Sequence, residues 1–107
     1  MRIKLNRSKM EGLYQLLSIL LKNKASNKAE QILHCIVVKI AIKIRNKLDQ
    51  YNAKDSYQIS LNEYEALAFE LWFNSNADWT ARYIYELNVA QAICGDIDKT
   101  YGTNFNH

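Results

Sequence analysis

The sequence predicts a mainly α-helical protein: four helices with a small two-stranded antiparallel ribbon, in which a strand-helix-helix unit occurs twice. Three observations support this fold class. The 107-residue chain has no proline and three glycines, too few for a fold built from many tight turns. Long segments repeat apolar residues at helical spacing. Two short segments instead alternate polar and apolar residues, as half-buried strands do.

The alternating segments form a weak internal repeat. They are Arg2-Ile3-Lys4-Leu5-Asn6 and Gln58-Ile59-Ser60-Leu61-Asn62. Two helical patterns follow each segment, which places the seam of the repeat near residues 52–55. A chain of this length builds one apolar core, so we expect residues 1–107 to form a single domain.

The first helix is expected to begin near Ser8 as its N-cap, and the second after Asn27, with Glu30 in the pattern of a capping box. The second helix runs to about Gln50. The predicted apolar stripes are Met10, Leu13, Tyr14, Leu17, Leu20 and Leu21 in the first helix, and Leu33, Ile36, Val37, Ile40, Ile44 and Leu48 in the second. Residues 36–44 are rich in β-branched side chains and partly alternate as a strand would, but the longer helical series favours a helix.

The third helix is expected to begin at Asn62 or Glu63, and the fourth to be capped by Asp78 and to end at Gly95. Their predicted buried residues are Tyr64, Leu67, Ala68 and Leu71 in the third helix, and Tyr83, Ile84, Leu87, Ala90 and Cys94 in the fourth. Residues 96–107 are polar, and we expect them to form a loosely ordered tail.

The two cysteines, Cys35 and Cys94, lie inside apolar segments without CxxC spacing, which predicts buried, reduced thiols and a cytoplasmic protein. No run of about 18 apolar residues is present, so a membrane-spanning helix is not expected. Abundant Asn, Lys, Ile and Tyr indicate an AT-rich genome, such as that of a bacterium, a phage or a mobile element.

Charge divides sharply between the two halves of the repeat. Residues 1–54 carry a net charge of +9, and residues 55–107 carry −6. Charge blocks of this kind mark surfaces that meet each other or a partner, so we expect the halves to attract each other. We also expect a homodimer, because Cys35, Val38 and Ile42 form a minor apolar strip opposite the main stripe of the second helix.

No residue pattern typical of an enzyme is present. The histidines are His34, inside a helix, and His107, the last residue. Asp96-Ile97-Asp98 opens like a calcium loop, but Tyr101 stands where the loop needs glycine and no Glu closes it. Glu63 and Glu70 share a helix face, which is more typical of a solvated surface than of an acid–base pair. The sequence therefore predicts a non-enzymatic protein without a cofactor or a metal ion.

The basic half predicts an anionic partner. Four lysines lie on one broad side of the second helix: Lys28, Lys39, Lys43 and Lys47. Such an excess over acids fits either nucleic acid or an acidic protein surface. We therefore predict a small interaction or regulatory protein that acts through charged surfaces, with DNA binding as the alternative.

The repeated strand-helix-helix order resembles the ribbon-helix-helix family of DNA-binding proteins, as two such units fused in one chain. In that family two strands pair antiparallel, and their outward side chains enter the major groove of DNA. The resemblance implies that Ile3, Leu5, Ile59 and Leu61 point inward, and that the DNA contacts are Arg2, Lys4, Asn6, Gln58, Ser60 and Asn62. The chain departs from the family in three ways: residues 25–27 match its phosphate-binding turn only loosely, the second helix is expected to be longer than the family's, and the second half is acidic.

Overall fold

A computed structural model describes residues 1–50 and 56–102, and it confirms the mainly α-helical fold class within them. The elements of the described residues are, in chain order, β1 (Arg2–Asn6), α1 (Arg7–Leu20), α2 (Lys28–Asp49), β2 (Ser56–Ser60), α3 (Glu63–Asn76) and α4 (Ile84–Tyr101). The two strands pair antiparallel and are called the ribbon below. The predicted seam near residues 52–55 lies outside the described residues. None of the described helices is long and apolar enough to cross a bilayer.

The internal repeat extends to the helices at an offset of 56 residues, since α1 and α3 span 7–20 and 63–76, and α2 and α4 begin at 28 and 84. In the ribbon, Ile3 pairs with Ile59, its own counterpart at that offset. An antiparallel pair centred on equivalent residues is related by a twofold rotation. The two halves are therefore arranged around an approximate twofold axis through this pair.

The helices of the two halves pack across this axis. α1 contacts α4 as well as α2, and α3 contacts α2 as well as α4. Five of the six buried positions of α1 recur in α3 at the same offset: Met10, Gly12, Leu13, Leu16 and Leu17, then Ala66, Ala68, Phe69, Trp72 and Phe73. One apolar core is therefore shared by both halves, with Trp72 and Phe73 in the places that Leu16 and Leu17 occupy in the first repeat.

The N-cap of α1 is Asn6, so the prediction that Ser8 caps this helix is wrong. The Asn6 Oδ1 atom accepts a hydrogen bond from the Lys9 backbone N–H at 2.8 Å, and α1 begins at Arg7. Asparagine is as good an N-cap as serine because its short side chain also reaches the third amide of the helix. The predicted apolar stripe of α1 is buried or half-buried throughout.

The N-cap of α2 is Asn27, as predicted, and it accepts from the Glu30 backbone N–H at 2.8 Å. The Glu30 carboxylate accepts from the Ser26 backbone N–H rather than from that of Asn27, so the capping box is displaced by one residue. Residues 36–44 are helical, and the predicted stripe of α2 lies in or against the core. The helical interpretation of this β-branched segment is therefore confirmed.

The predicted start of α3 is confirmed, but its predicted buried face is mostly wrong. Asn62 and Glu65 form a complete capping box at its N-terminus. Ala68 is buried as predicted, whereas three predicted core residues are exposed: Tyr64, Leu67 and Leu71. Apolar residues surround most of this helix, so their periodicity did not single out one side. The shared core takes the side that carries Phe69, Trp72 and Phe73.

The predicted bounds of α4 are wrong at both ends. Asp78 accepts hydrogen bonds from the backbone N–H and the hydroxyl of Thr80, which closes a local turn, and the helix begins only at Ile84. Gly95 is an interior residue of α4 without a positive φ angle, and the helix continues to Tyr101. Residues 96–101 of the predicted loose tail are therefore helical, and residues 103–107 lie outside the described residues.

Three of the five residues predicted to be buried near α4 are buried, and the predicted burial is wrong for one of the two cysteines. Of the predicted core residues, Leu87, Ala90 and Cys94 are buried, Tyr83 is half-buried and Ile84 is exposed. The prediction that Cys35 is buried is wrong, because it lies on the solvent side of α2. Its neighbours in the minor apolar strip, Val38 and Ile42, are exposed as well.

Candidate nucleic-acid interface

The ribbon has an apolar inner face and a polar outer face. The four inner residues that the resemblance implies are all buried: Ile3, Leu5, Ile59 and Leu61. Tyr57 is buried as well. On the outer face, the paired residues are Arg2 with Ser60, Lys4 with Gln58, and Asn6 with Ser56. All six outer residues are exposed. The ribbon therefore offers solvent two parallel rows of hydrogen-bonding side chains, one of them basic.

The two asparagines among the predicted contacts both cap helices. Asn6 ends β1 and caps α1, and Asn62 lies beyond the end of β2 and caps α3. Their side-chain oxygens are therefore occupied by backbone amides. Ser56, which the sequence analysis did not select, takes the position opposite Asn6. Extending the alternation of Gln58 and Ser60 backward by two residues would have found it.

Basic side chains gather where α1 leaves the ribbon. The first turn of α1 holds Arg7 and Lys9 and has no acidic residue, although the N-terminus of a helix favours acids. The equivalent turn of α3 follows that rule, with Glu63 and Glu65. Arg7 contacts Glu11 at 2.8 Å and donates to the Tyr57 hydroxyl at 2.7 Å. Arg7 is thus paired, and the positive charges at the junction of β1 and α1 that form no ion pair with the described residues are those of Arg2, Lys4 and Lys9.

The four predicted lysines of α2 are all exposed: Lys28, Lys39, Lys43 and Lys47. The Lys43 Nζ atom binds the Glu65 carboxylate at 2.6 Å and the Ser60 carbonyl oxygen at 3.3 Å, which connects α2 to α3 and β2. The other three lysines form no ion pair with the described residues. Lys43 is therefore committed within the chain, and the others are available to a partner.

The charge of the Glu65 carboxylate is balanced by Lys43. Burial alone would raise the pKa of its carboxyl, but hydrogen bonds from Lys43 and from the Asn62 backbone N–H, together with the nearby charge of Lys39, lower it on balance. The carboxylate is therefore ionised and balanced by α2. This pair is the ion pair among the described residues that joins the basic half to the acidic half.

The histidine and the buried thiol have structural surroundings. His34 Nε2 donates to the Leu21 carbonyl oxygen at 2.8 Å, and its ring lies edge-on to Trp72 with centroids 6.4 Å apart. Burial, reinforced by the Glu70 carboxylate, raises the pKa of the Cys94 thiol to about 12. That thiol is therefore neutral and a poor nucleophile. Across residues 1–50 and 56–102, no three side chains of the His, Cys, Asp or Glu types are grouped to hold a metal ion.

Comparisons of the chain with protein-family models, with curated proteins and with solved structures found no match. The likeness to the ribbon-helix-helix family therefore stays at the level of element order, strand pairing and twofold arrangement.

Proposed function

We propose that this chain is a non-enzymatic DNA-binding protein that inserts its ribbon into the major groove. The observation that carries the proposal is the outer face of the ribbon, where exposed polar side chains form two paired rows. The major groove of B-DNA is about 12 Å wide and admits a two-stranded ribbon. Arg2, Lys4 and Gln58 have side chains of the types that hydrogen-bond base edges there.

The charge at the start of α1 supports an anionic ligand beside the ribbon. An acidic first turn would stabilise α1 by roughly 0.3–1 kcal/mol, as Glu63 and Glu65 are placed to do in α3. In α1 this turn instead holds Lys9, which forms no ion pair with the described residues and adds positive charge to the positive end of the helix dipole, and Arg7, which is paired with Glu11. Local rules of stability are typically broken at functional sites, and here the break favours contact with phosphates.

The two halves of the ribbon would read DNA differently. At the 56-residue offset, the counterpart of Arg2 is Gln58 and that of Lys4 is Ser60. A symmetric dimer reads a palindromic site because its two half-sites meet identical side chains. Here the proposal implies a non-palindromic site, with the stronger contacts made by β1.

Fluorescence anisotropy with labelled duplex DNA, at about 50 mM salt where electrostatic attraction is strong, tests the proposal. Binding should weaken steeply as salt rises. Arg2→Gln or Lys4→Gln should cost about 1–3 kcal/mol on a selected sequence and far less on random DNA, because a base contact is lost. Arg45→Gln is the matched control, since it removes one exposed charge from α2 outside the ribbon. Absence of binding at low salt would overturn the proposal.

An acidic protein is the second candidate partner, because Lys28, Lys39 and Lys47 are exposed on α2 and unpaired among the described residues. A pull-down from a bacterial lysate, with and without nuclease, separates the two candidates. A DNA-binding chain should lose its co-purifying material after nuclease treatment. An acidic protein partner should stay bound, and Lys39→Glu should release it.

A further inference from the structure

We propose that the chain forms a symmetric homodimer through the outer side of the α2–α3 pair, in which α2 of each copy lies over α3 of the other. The surface concerned, called the outer face below, is formed by Ile32, Cys35, Tyr64, Leu67 and Leu71. Each of these residues is exposed, with fractions of 61% for Ile32, 81% for Tyr64 and 57% for Leu71. Apolar side chains exposed together at this level mark an interaction surface.

The outer face takes its residues from two neighbouring antiparallel helices, α2 and α3. Lys43, late in α2, contacts Glu65 at the start of α3, and His34, early in α2, lies against Trp72 late in α3. Ile32 shares one side of α2 with Lys39 and Lys43, seven and eleven residues further on. Since both lysines act on the Glu65 carboxylate, that side of α2 borders α3.

The exposed residues of α3 share one side of that helix too. Tyr64, Leu67 and Leu71 are spaced three and four residues apart, which aligns them on the solvent side, opposite the buried Phe69 and Phe73. The contacts of Lys43 with Glu65 and of His34 with Trp72 place Ile32 and Cys35 of α2 level with the Leu71 end of this strip, and Lys39 and Lys43 level with its Tyr64 end. Nothing in residues 1–50 or 56–102 covers these five side chains.

Charge identifies a second copy as the occupant. α2 carries five basic residues against two acids, whereas α3 carries three acids and no basic residue. A partner with one sign of charge would be attracted by one helix and repelled by the other. Within one chain Lys43 is paired with Glu65, and Glu70 lies near Asp98 and Cys94 of α4, so the charges left for a partner include Lys39 and Lys47 on α2 and Glu63 on α3. A second copy of this chain supplies both of these signs.

The same charges select the direction of the twofold axis. An axis parallel to the helices places each α2 over the partner's α3, whereas a perpendicular axis places α2 over α2 and opposes like charges. The parallel axis also preserves the level of each residue along the helices. Lys43 shows that the end of α2 lies level with the start of α3, so Lys47 of one copy comes near the partner's Glu63.

Sedimentation equilibrium of the full chain under reducing conditions tests the proposal. The wild type should have the mass of two chains at high micromolar concentration. Leu71→Lys should weaken the dimer at least about tenfold, while Ile19→Lys, at an exposed apolar residue of α1, should leave it unchanged. Circular dichroism verifies that both variants remain helical. A single-chain mass for the wild type, or a Leu71→Lys dimer as strong as the wild type, would overturn the proposal.

Charge reversal tests the direction of the axis. Lys47→Glu and Glu63→Lys should each weaken the dimer, and the double variant should recover most of the loss. Cys35 gives an independent signal, since its reaction with a thiol reagent should slow as the protein is concentrated through the dimer equilibrium. The proposed arrangement would be contradicted if the double variant lost as much dimer affinity as the two single variants together. A Cys35 reaction rate that does not depend on protein concentration would contradict it too. Dimerisation is measured without DNA, so its failure is distinguishable from failure of the proposed function.

Discussion

Breaking the Lys43–Glu65 pair should destabilise the fold by more than loss of an ordinary surface ion pair. The two charged groups are 2.6 Å apart, and the Glu65 side chain is only 13% exposed, against 45% for Lys43. The Glu65 carboxylate also accepts the Asn62 backbone N–H at 3.0 Å, as half of the capping box of α3. Glu65→Ala therefore removes the ion pair and half of the capping box, whereas Lys43→Met removes the ion pair and the longer contact with the Ser60 carbonyl oxygen.

The magnitude follows from these contacts. A partly exposed ion pair contributes about 0.5–1 kcal/mol to the free energy of unfolding. Loss of a helix-capping interaction costs a similar amount, about 0.5–1 kcal/mol. We therefore expect Glu65→Ala to lower the free energy of unfolding by about 1–2 kcal/mol, and Lys43→Met by about 0.5–1 kcal/mol. A drop of 1 kcal/mol lowers the Tm of a domain near this size by roughly 4 °C or more.

A double-mutant cycle measured by urea unfolding isolates the pair. The coupling free energy between Lys43→Met and Glu65→Ala should be about 0.5–1 kcal/mol, and it should fall at about 1 M salt. Arg45 and Asp49 provide the matched control, because they are 3.7 Å apart with side chains about two-thirds exposed. Their coupling should be at most about 0.3–0.5 kcal/mol. Equal coupling in the two pairs would refute the special role of the Lys43–Glu65 pair.

The same pair predicts a dependence on pH. Because the pKa of the Glu65 carboxyl is lower in the folded state than in the unfolded state, its contribution is fully present above the unfolded value of about 4.3. The contribution is lost as the pH falls through the lower folded pKa. The difference in stability between the wild type and Glu65→Gln should therefore shrink as the pH is lowered below about 4.3. A difference that stays constant down to about pH 3 would show that the carboxyl titrates alike in both states.

Three further experiments test the packing. At a protein concentration low enough to keep the chain monomeric, Phe69→Ala should lower the free energy of unfolding by about 3–5 kcal/mol, whereas Leu71→Ala should change it by about 0.5 kcal/mol or less. Similar losses for the two variants in urea unfolding would restore the face of α3 that the sequence predicted. In the native protein at low protein concentration, Cys35 should react quickly with a thiol reagent and Cys94 should react slowly. If mass spectrometry counted two fast sites, the burial of Cys94 would be contradicted. Gly12→Ala should leave the stability unchanged or raise it slightly, because the added Cβ meets only side-chain atoms, the nearest 3.3 Å away on Tyr85. A large drop in Tm would mean that the side chains between α1 and α4 cannot adjust.

Element types and order could be read from the sequence because they depend on local patterns. Apolar residues at helical spacing gave α1 and α2, and the alternation around Ile3 and Ile59 gave the ribbon. The recurrence of that alternation also indicated the repeat. The twofold pairing of Ile3 with Ile59 needed the structure, since many registers of two short strands satisfy the same alternation.

The errors arose where local signals compete. Asn6 and Ser8 are both good N-caps, and only the end of β1 decides between them. Gly95 matches a helix C-cap, but burial of Ile97 in the shared core extends α4 beyond it. The exposure of Cys35 depends on which other helices surround α2, and such long-range packing has no local signature.

The candidate interface was predictable in part. Arg2 and Lys4 follow from the outward positions of a strand, whereas the internal pairing of Lys43 depends on a contact between α2 and α3 that periodicity does not reveal. The absence of an acid from the first turn of α1, which holds Arg7 and Lys9, could have been noticed from the sequence.

Amide chemical-shift mapping on a ¹⁵N-labelled sample titrated with duplex DNA, at about 50 mM salt, locates the residues that contact DNA. If the ribbon enters the major groove, the largest shifts should fall on β1, β2 and the first turn of α1, with larger changes at Arg2 and Lys4 than at Ser56 and Ser60. Shifts confined to the lysines of α2, or no shifts at all, would contradict DNA binding through the ribbon.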